Sequence, residues 1–125
     1  MIQRRILLID DEKNFTDMLK LNLESTGQFK VAAVNDPVDA IEKVLSFTPD
    51  LIIMDIIMPN IEGSDLSFQI KDIEKFQNTP IIFLTATVTD DEVASKQKVA
   101  DGYNFLAKPS NLQLLIQTID RLTPA

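Results

Sequence analysis

Five residues of this chain could do chemistry together: Asp10, Asp11, Asp55, Thr85 and Lys108. Each stands at the end of a short, mostly apolar run. Asp10 and Asp11 close Arg4-Arg5-Ile6-Leu7-Leu8-Ile9, and Asp55 follows Leu51-Ile52-Ile53-Met54. Thr85 follows Ile81-Ile82-Phe83-Leu84, and Lys108 follows Asn104-Phe105-Leu106-Ala107. Three carboxylates brought to one place repel one another, and desolvation adds to the cost. A hard divalent cation relieves this, and Mg2+ suits a few carboxylates, several waters and a phosphate oxygen. A lysine beside them supplies a fixed positive charge for the same phosphoryl group. The set suits phosphoryl transfer onto a carboxylate, a reaction in which the protein mainly positions and neutralises. Each residue also has an ordinary role open to it. Asp10 and Asp11 suit a helix cap, Asp55 the start of a turn, Thr85 a plain strand position and Lys108 a surface. Their recurrence at the ends of successive runs favours a shared site.

The elements that must position them are legible from pattern. Asp50 to Pro59 carries four consecutive apolar residues into Asp55, with Pro49 in front and Pro59 behind, as in a strand buried on both faces. Further strands are expected at 4–9, 29–34, 81–84 and 104–107. Between them lie helical patterns. Residues 13–25 carry Phe15, Met18, Leu19, Leu21 and Leu23, and Thr26-Gly27 stops the run. Asp36-Pro37 starts a second helix whose stripe is Ala40, Ile41, Val44, Leu45 and Phe47. Residues 58–63 read as a loop, and a third helix is expected over 64–76, with Leu66, Ile70 and Ile73 inward. Thr89 and Glu92 form a capping box for a short helix reaching about residue 100. Ser110 is expected to cap a last helix with Leu112, Leu115, Ile116, Ile119 and Leu122 in one stripe. Five strands alternating with five helices argue for an α/β fold: a five-stranded parallel sheet, doubly wound. The carboxyl ends of parallel strands share one edge, where ligands of such sheets bind.

Composition narrows the function. The 125 residues suit one domain, 1–125, with 45% hydrophobic and 25% charged residues, an ordinary globular balance. There is no cysteine, which excludes disulfides and fits a cytoplasmic home, and no histidine, which excludes imidazole-dependent hydrolase designs. A net charge of −7 is the wrong sign for direct DNA binding. No apolar run approaches a membrane span, and Asp10-Asp11 interrupts the only stretch that could pass for a signal peptide.

With these residues placed, the chain resembles the receiver domain of bacterial-type response regulators, the proteins of two-component and phosphorelay signalling. The matching residues are Asp10-Asp11, Asp55 followed by Met58-Pro59 and Gly63, Thr85-Ala86, and Phe105 three residues before Lys108-Pro109. The resemblance covers essentially the full length, and order, spacing and strand context agree. It implies that Asp55 accepts a phosphoryl group from a histidine kinase or phosphotransfer protein. It implies that Asp10, Asp11 and Asp55, with the backbone carbonyl of Ile57, hold Mg2+. Thr85 and Lys108 would contact the phosphoryl group, and Phe105 would be the aromatic switch that controls binding of a downstream partner. That partner would meet the face built from the fourth helix, fifth strand and fifth helix. Ile57 and Thr87, two residues after the acceptor and the threonine, would border the path of a hydrolytic water. Neither carries a charge or amide to orient it, so a long-lived phosphoryl group is expected. The pattern departs from the family where Asp101 and Gly102 replace a frequent Gly-Ala.

Three other readings fare worse. Haloacid-dehalogenase-like phosphatases need a second carboxylate two residues after the nucleophile, where this chain has Ile57. A nucleotide-binding domain needs a glycine-rich loop after the first strand, and none is there. A degenerate receiver that only binds partners would have lost an acidic or lysine position, and none is lost.

Overall fold

In a computed structural model of the chain, which describes residues 3–58, 61–85, 104–108 and 111–123, alternate side chains of the strands enter two separate cores. The strands are β1 (Arg4–Ile9), β2 (Phe29–Val34), β3 (Leu51–Asp55), β4 (Ile81–Thr85) and β5 (Asn104–Ala107). They are parallel throughout and stand in the order β2-β1-β3-β4-β5. Leu7, Ile9, Ile52, Met54, Ile81, Phe83 and Phe105 face one side. There they meet Ala40, Val44 and Phe47 of helix α2 (Ala40–Phe47) and Leu66 and Ile70 of α3 (Gly63–Lys71). Ile6, Leu8, Leu51, Ile53, Ile82 and Leu84 face the other side. They meet Leu19 and Leu23 of α1 (Lys13–Glu24) and Leu115 and Ile119 of the C-terminal helix, Leu112–Leu122. With a core on each face, all five residues of β3 are buried, which explains its unbroken apolar run.

The expected strands agree with those observed, and β4 extends one residue further, to Thr85. The helices differ in detail. Met18 and Leu21 are exposed rather than part of the α1 stripe, and Thr16 is buried in their stead. Leu45 of α2 is likewise exposed. Asp36 caps its helix as expected, accepting a hydrogen bond from the Val38 N–H at 3.1 Å, but Pro37–Asp39 forms a 3-10 turn before α2 begins. The α2 helix stops because Thr48 turns left-handed (φ 49°), and Pro49 follows.

Residues 58–63 are not a plain loop: Ile57–Met58 pairs antiparallel with Ile61–Glu62 in a short hairpin. Helix α3 ends at Lys71, and Glu74–Phe76 is a separate 3-10 turn. The cap of the C-terminal helix is Asn111, whose side-chain oxygen accepts from the Leu114 N–H at 3.1 Å, rather than Ser110. Ala86, Thr87, the helix expected at 89–100, Asp101 and Gly102 lie outside the described residues, as do Pro59 and Pro109. Among the described residues no helix is long and apolar enough to cross a membrane.

The cap assignment is testable. Asn111→Ala should destabilise the chain by about 1 kcal/mol in urea titration, the usual worth of such a cap, and Ser110→Ala by clearly less.

Candidate functional site

The sheet register carries the reactive residues to one edge. Ile9 pairs with Met54, so Asp10 leaves β1 beside Asp55 at the end of β3. Asp55 pairs with Leu84, which pairs with Leu106, so Thr85 stands one step further along β4 and Lys108 two steps further, just past the end of β5. The strand order reverses between β1 and β3, the place where open α/β sheets form their ligand crevice.

Asp10 is fixed through its backbone. Its N–H donates to the Val34 carbonyl at 3.0 Å, and its own carbonyl accepts from the Asn35 side-chain amide at 2.9 Å. The same amide reaches the buried Thr16 hydroxyl at 2.9 Å, which in turn donates to the Lys13 carbonyl. Asp10 Oδ1 accepts from the Glu12 N–H at 2.9 Å, so Asp10 does steady the entry to α1, the ordinary role open to it. Glu12 itself is the residue at the helix start and makes no side-chain cap bond there.

Asp55 is fixed by a close backbone approach. The Gly63 N–H donates to the Ile56 carbonyl at 2.8 Å. A Cβ on Gly63 would lie 2.5 Å from the Asp55 carbonyl oxygen and 2.8 Å from the Ile56 Cα, so no larger residue fits without displacing the end of β3. That is the physical reason for a glycine eight residues after Asp55.

One carboxylate oxygen each from Asp10, Asp11 and Asp55 lies within 4.8 Å of the others, with Asp10 and Asp55 buried and Asp11 exposed. Lys108, expected at the surface in its ordinary role, has a side chain only 5% exposed. Its ammonium lies 2.6 Å from Glu12 Oε1, 2.8 Å from Asp10 Oδ2 and 3.5 Å from Asp55 Oδ2. It also stands 4.6 Å from the centre of the Phe15 ring. Burial works to strip its proton, but the close contacts with Asp10 and Glu12 and the charges of Asp10 and Asp55 outweigh it, so the ammonium is held above its ordinary value. In Asp10 the charged form is the one disfavoured. Burial raises its carboxyl above the usual range, and Lys108 and the Glu12 N–H only partly pull it back. Asp10 Oδ2 is charge-paired with Lys108, yet among the described residues no donor is aligned on it as a hydrogen bond. A buried carboxylate oxygen in that condition, on a residue whose carboxylate gathers with two others, fits an all-oxygen site for a hard divalent cation.

The structure brings together Asp10, Asp11, Asp55 and Lys108, as expected from sequence. Thr85 occupies the expected strand end, and the backbone of Ile57 enters the hairpin just beyond Asp55. Phe105 is buried and stacks on Phe83, ring centres 5.2 Å apart. Sequence reasoning missed Glu12, Phe15, Thr16 and Asn35. Asn35 follows β2 directly, so the rule that picked out the other strand ends would have found it.

The chain matches the family model for the response regulator receiver domain over residues 6–120. The chain belongs to this family. Receiver domains are signalling domains of two-component systems, and Mg2+ is their usual metal. The chain is 37% identical over 116 residues to Response regulator ArlR of Staphylococcus saprophyticus, covering 92% of this receiver domain and 50% of that protein. It is 33% identical over 105 residues to Response regulator Rre1 of a Synechocystis strain, covering 83% and 45% respectively. It therefore spans about half the length of these relatives. Among solved structures, the receiver domain of a DNA-binding response regulator from Colwellia psychrerythraea matches with a TM-score of 0.84 and 31% identity, covering 98% of this chain and all of that one. Chemotaxis protein CheY4 of Vibrio cholerae gives 0.84 and 25%, covering 97% and 99%. The doubly wound, five-stranded parallel fold expected from the sequence is thereby established as flavodoxin-like.

The acidic cluster makes a signed prediction. Asp10's raised carboxyl stabilises the metal-free fold below the ordinary carboxylate range, and this contribution is lost as pH rises through its raised value. At neutral pH the charged cluster is a cost that a bound cation would relieve. Mg2+ at ten times its dissociation constant should add about 1.4 kcal/mol, raising the melting temperature by roughly 4–6 °C. Calorimetric scans should show that rise at pH 7.5, a smaller one at pH 5 where the proton competes, and a smaller one at both pH values in Asp11→Ala.

Proposed function

We propose that the chain is a phospho-accepting receiver and that Asp55 is the acceptor. One observation carries this reading: the buried Asp55 carboxylate shares its edge with two further carboxylates and a buried ammonium. The Asp55 oxygen would attack phosphorus, the bond from phosphorus to the donor's histidine nitrogen would break, and the freed imidazole would take up a proton. The donor would be a histidine kinase or phosphotransfer protein, consistent with the partners the family implies. Asp10, Asp11 and Asp55, with the Ile57 carbonyl, would hold Mg2+, which when bound supplies positive charge against the phosphoryl oxygens. Lys108 would add its ammonium at the same oxygens, and the Thr85 hydroxyl would follow them. Phe105 lies one strand over, under Thr85's neighbour Phe83, so a phosphoryl group that draws Thr85 would bias the inward position of that ring. The readout would be altered binding of a downstream protein at the face that includes β5 and the C-terminal helix.

Acetyl phosphate with Mg2+ should add one phosphoryl group by intact mass. Asp55→Asn should abolish the addition, as should a chelator. Labelling that survives Asp55→Asn would disprove the assignment.

The lifetime of the product follows from Ile57 and Thr87. A side chain that orients the attacking water contributes about 10²-fold or more, and neither residue supplies a charge or an amide. The double variant Ile57→Asn, Thr87→Glu should therefore lose phosphate faster by that order when decay is followed in Mg2+. Equal decay in both proteins would remove these residues from the hydrolytic path.

A further inference from the structure

We propose that Glu12 and Phe15 are positioning residues that berth Lys108 on the β1 side of the site, in competition with the phosphoryl group of Asp55. The inference rests on the reading of Asp55 as acceptor and concerns how the lysine's charge is divided.

The distances order the competition. Glu12 holds the ammonium at 2.6 Å, Asp10 at 2.8 Å and Asp55 at only 3.5 Å. The Phe15 ring lies 4.6 Å from the same nitrogen, within cation–π range, and so adds a fourth partner. Glu12 follows Asp10 by two residues and Phe15 follows by five, so the β1–α1 junction that supplies the acidic pair also supplies the berth. Asp10 has a second demand on its carboxylate, since the residue that faces Lys108 also belongs to the cluster fit for a cation. Glu12 is outside that cluster and has no such demand. It can keep hold of Lys108 whatever Asp10 binds. To serve a phosphoryl group on Asp55, the ammonium must give up Glu12 at least in part.

Glu12 is 61% exposed at its side chain, so solvent screens the pair and its worth is that of a surface ion pair. That is still enough to bias a two-state lysine. A site with the berth answers weakly to partial occupancy of the phosphoryl position, and a site without it holds the phosphoryl group more tightly.

The test uses the full 125-residue chain and has two arms. In the metal-free protein, NMR should follow the Lys108 ammonium and the Asp55 carboxyl carbon. Glu12→Gln should shift both as the ammonium moves toward Asp55. Asp17→Asn, which removes an exposed acid of the same helix paired with Lys13, should shift neither. In the second arm, beryllofluoride with Mg2+ serves as the phosphoryl mimic. Its dissociation constant should fall about two- to fivefold in Glu12→Gln, the equivalent of one exposed ion pair. Phe15→Leu, which changes no charge, should move it the same way by about twofold, and Asp17→Asn should leave it unchanged. Unshifted Lys108 and Asp55 resonances in Glu12→Gln overturn the berth. An equal gain in Asp17→Asn overturns it in favour of a general field effect. Wild-type protein that fails to take up beryllofluoride overturns the acceptor reading and the competition with it, while the first arm still decides whether Glu12 holds the lysine.

Discussion

A single ammonium among carboxylates sets the conditions for the rest of this structure. Parallel pairing drives Asp10 and Asp55 to one edge, because Ile9 and Met54 are neighbours in register. Burial tends to raise the Asp10 carboxyl above its usual range, and a second buried carboxylate stands beside it. Lys108 offsets that tendency and is itself kept charged by it. The fold places the three backbones in three different ways. Asp10 is tied to β2 through Val34 and Asn35, Asp55 rests against Gly63, and Lys108 leaves the edge strand β5 directly.

The two-core architecture follows from the same need. A sheet buried on both faces keeps its strand ends from shifting against one another, since each strand is gripped by side chains above and below. The alternation of Leu7 and Ile9 with Ile6 and Leu8 divides a four-residue apolar run between the two cores. Polar chemistry is left only where the strands end. The site and the core are in that sense one solution, with the apolar runs setting the height at which the carboxylates emerge.

Much of this was legible in the sequence. Short β-branched and leucine-rich runs bounded by proline, glycine or aspartate marked all five strands, and the polar residues at their ends marked Asp10, Asp11, Asp55, Thr85 and Lys108. What was illegible has identifiable causes. Asn111 and Ser110 are adjacent and both can cap, so composition alone could not choose between them. The hairpin at Ile57–Met58 and Ile61–Glu62 is too short to show any periodicity. Met18 and Leu21 fit a helical stripe but face solvent, because the inward direction of α1 is set by Leu19 and Leu23 against the sheet. Glu12 and Phe15 gave no signal because their partner, Lys108, is 96 and 93 positions away in the chain and meets them only once the sheet is assembled.

Gly63 has a consequence of another kind. Its amide closes onto the Ile56 carbonyl while its bare α-carbon lies against the Asp55 backbone. These contacts make a clasp at the two ends of the segment, with Ile57–Met58 paired to Ile61–Glu62 inside it. Such a clasp acts as a gauge: it sets how far the reactive carboxylate stands above the sheet, independently of the side chains that line the segment. A change of length inside it would be felt at the Asp55 backbone, because the Gly63 contacts tie the two ends of the segment together.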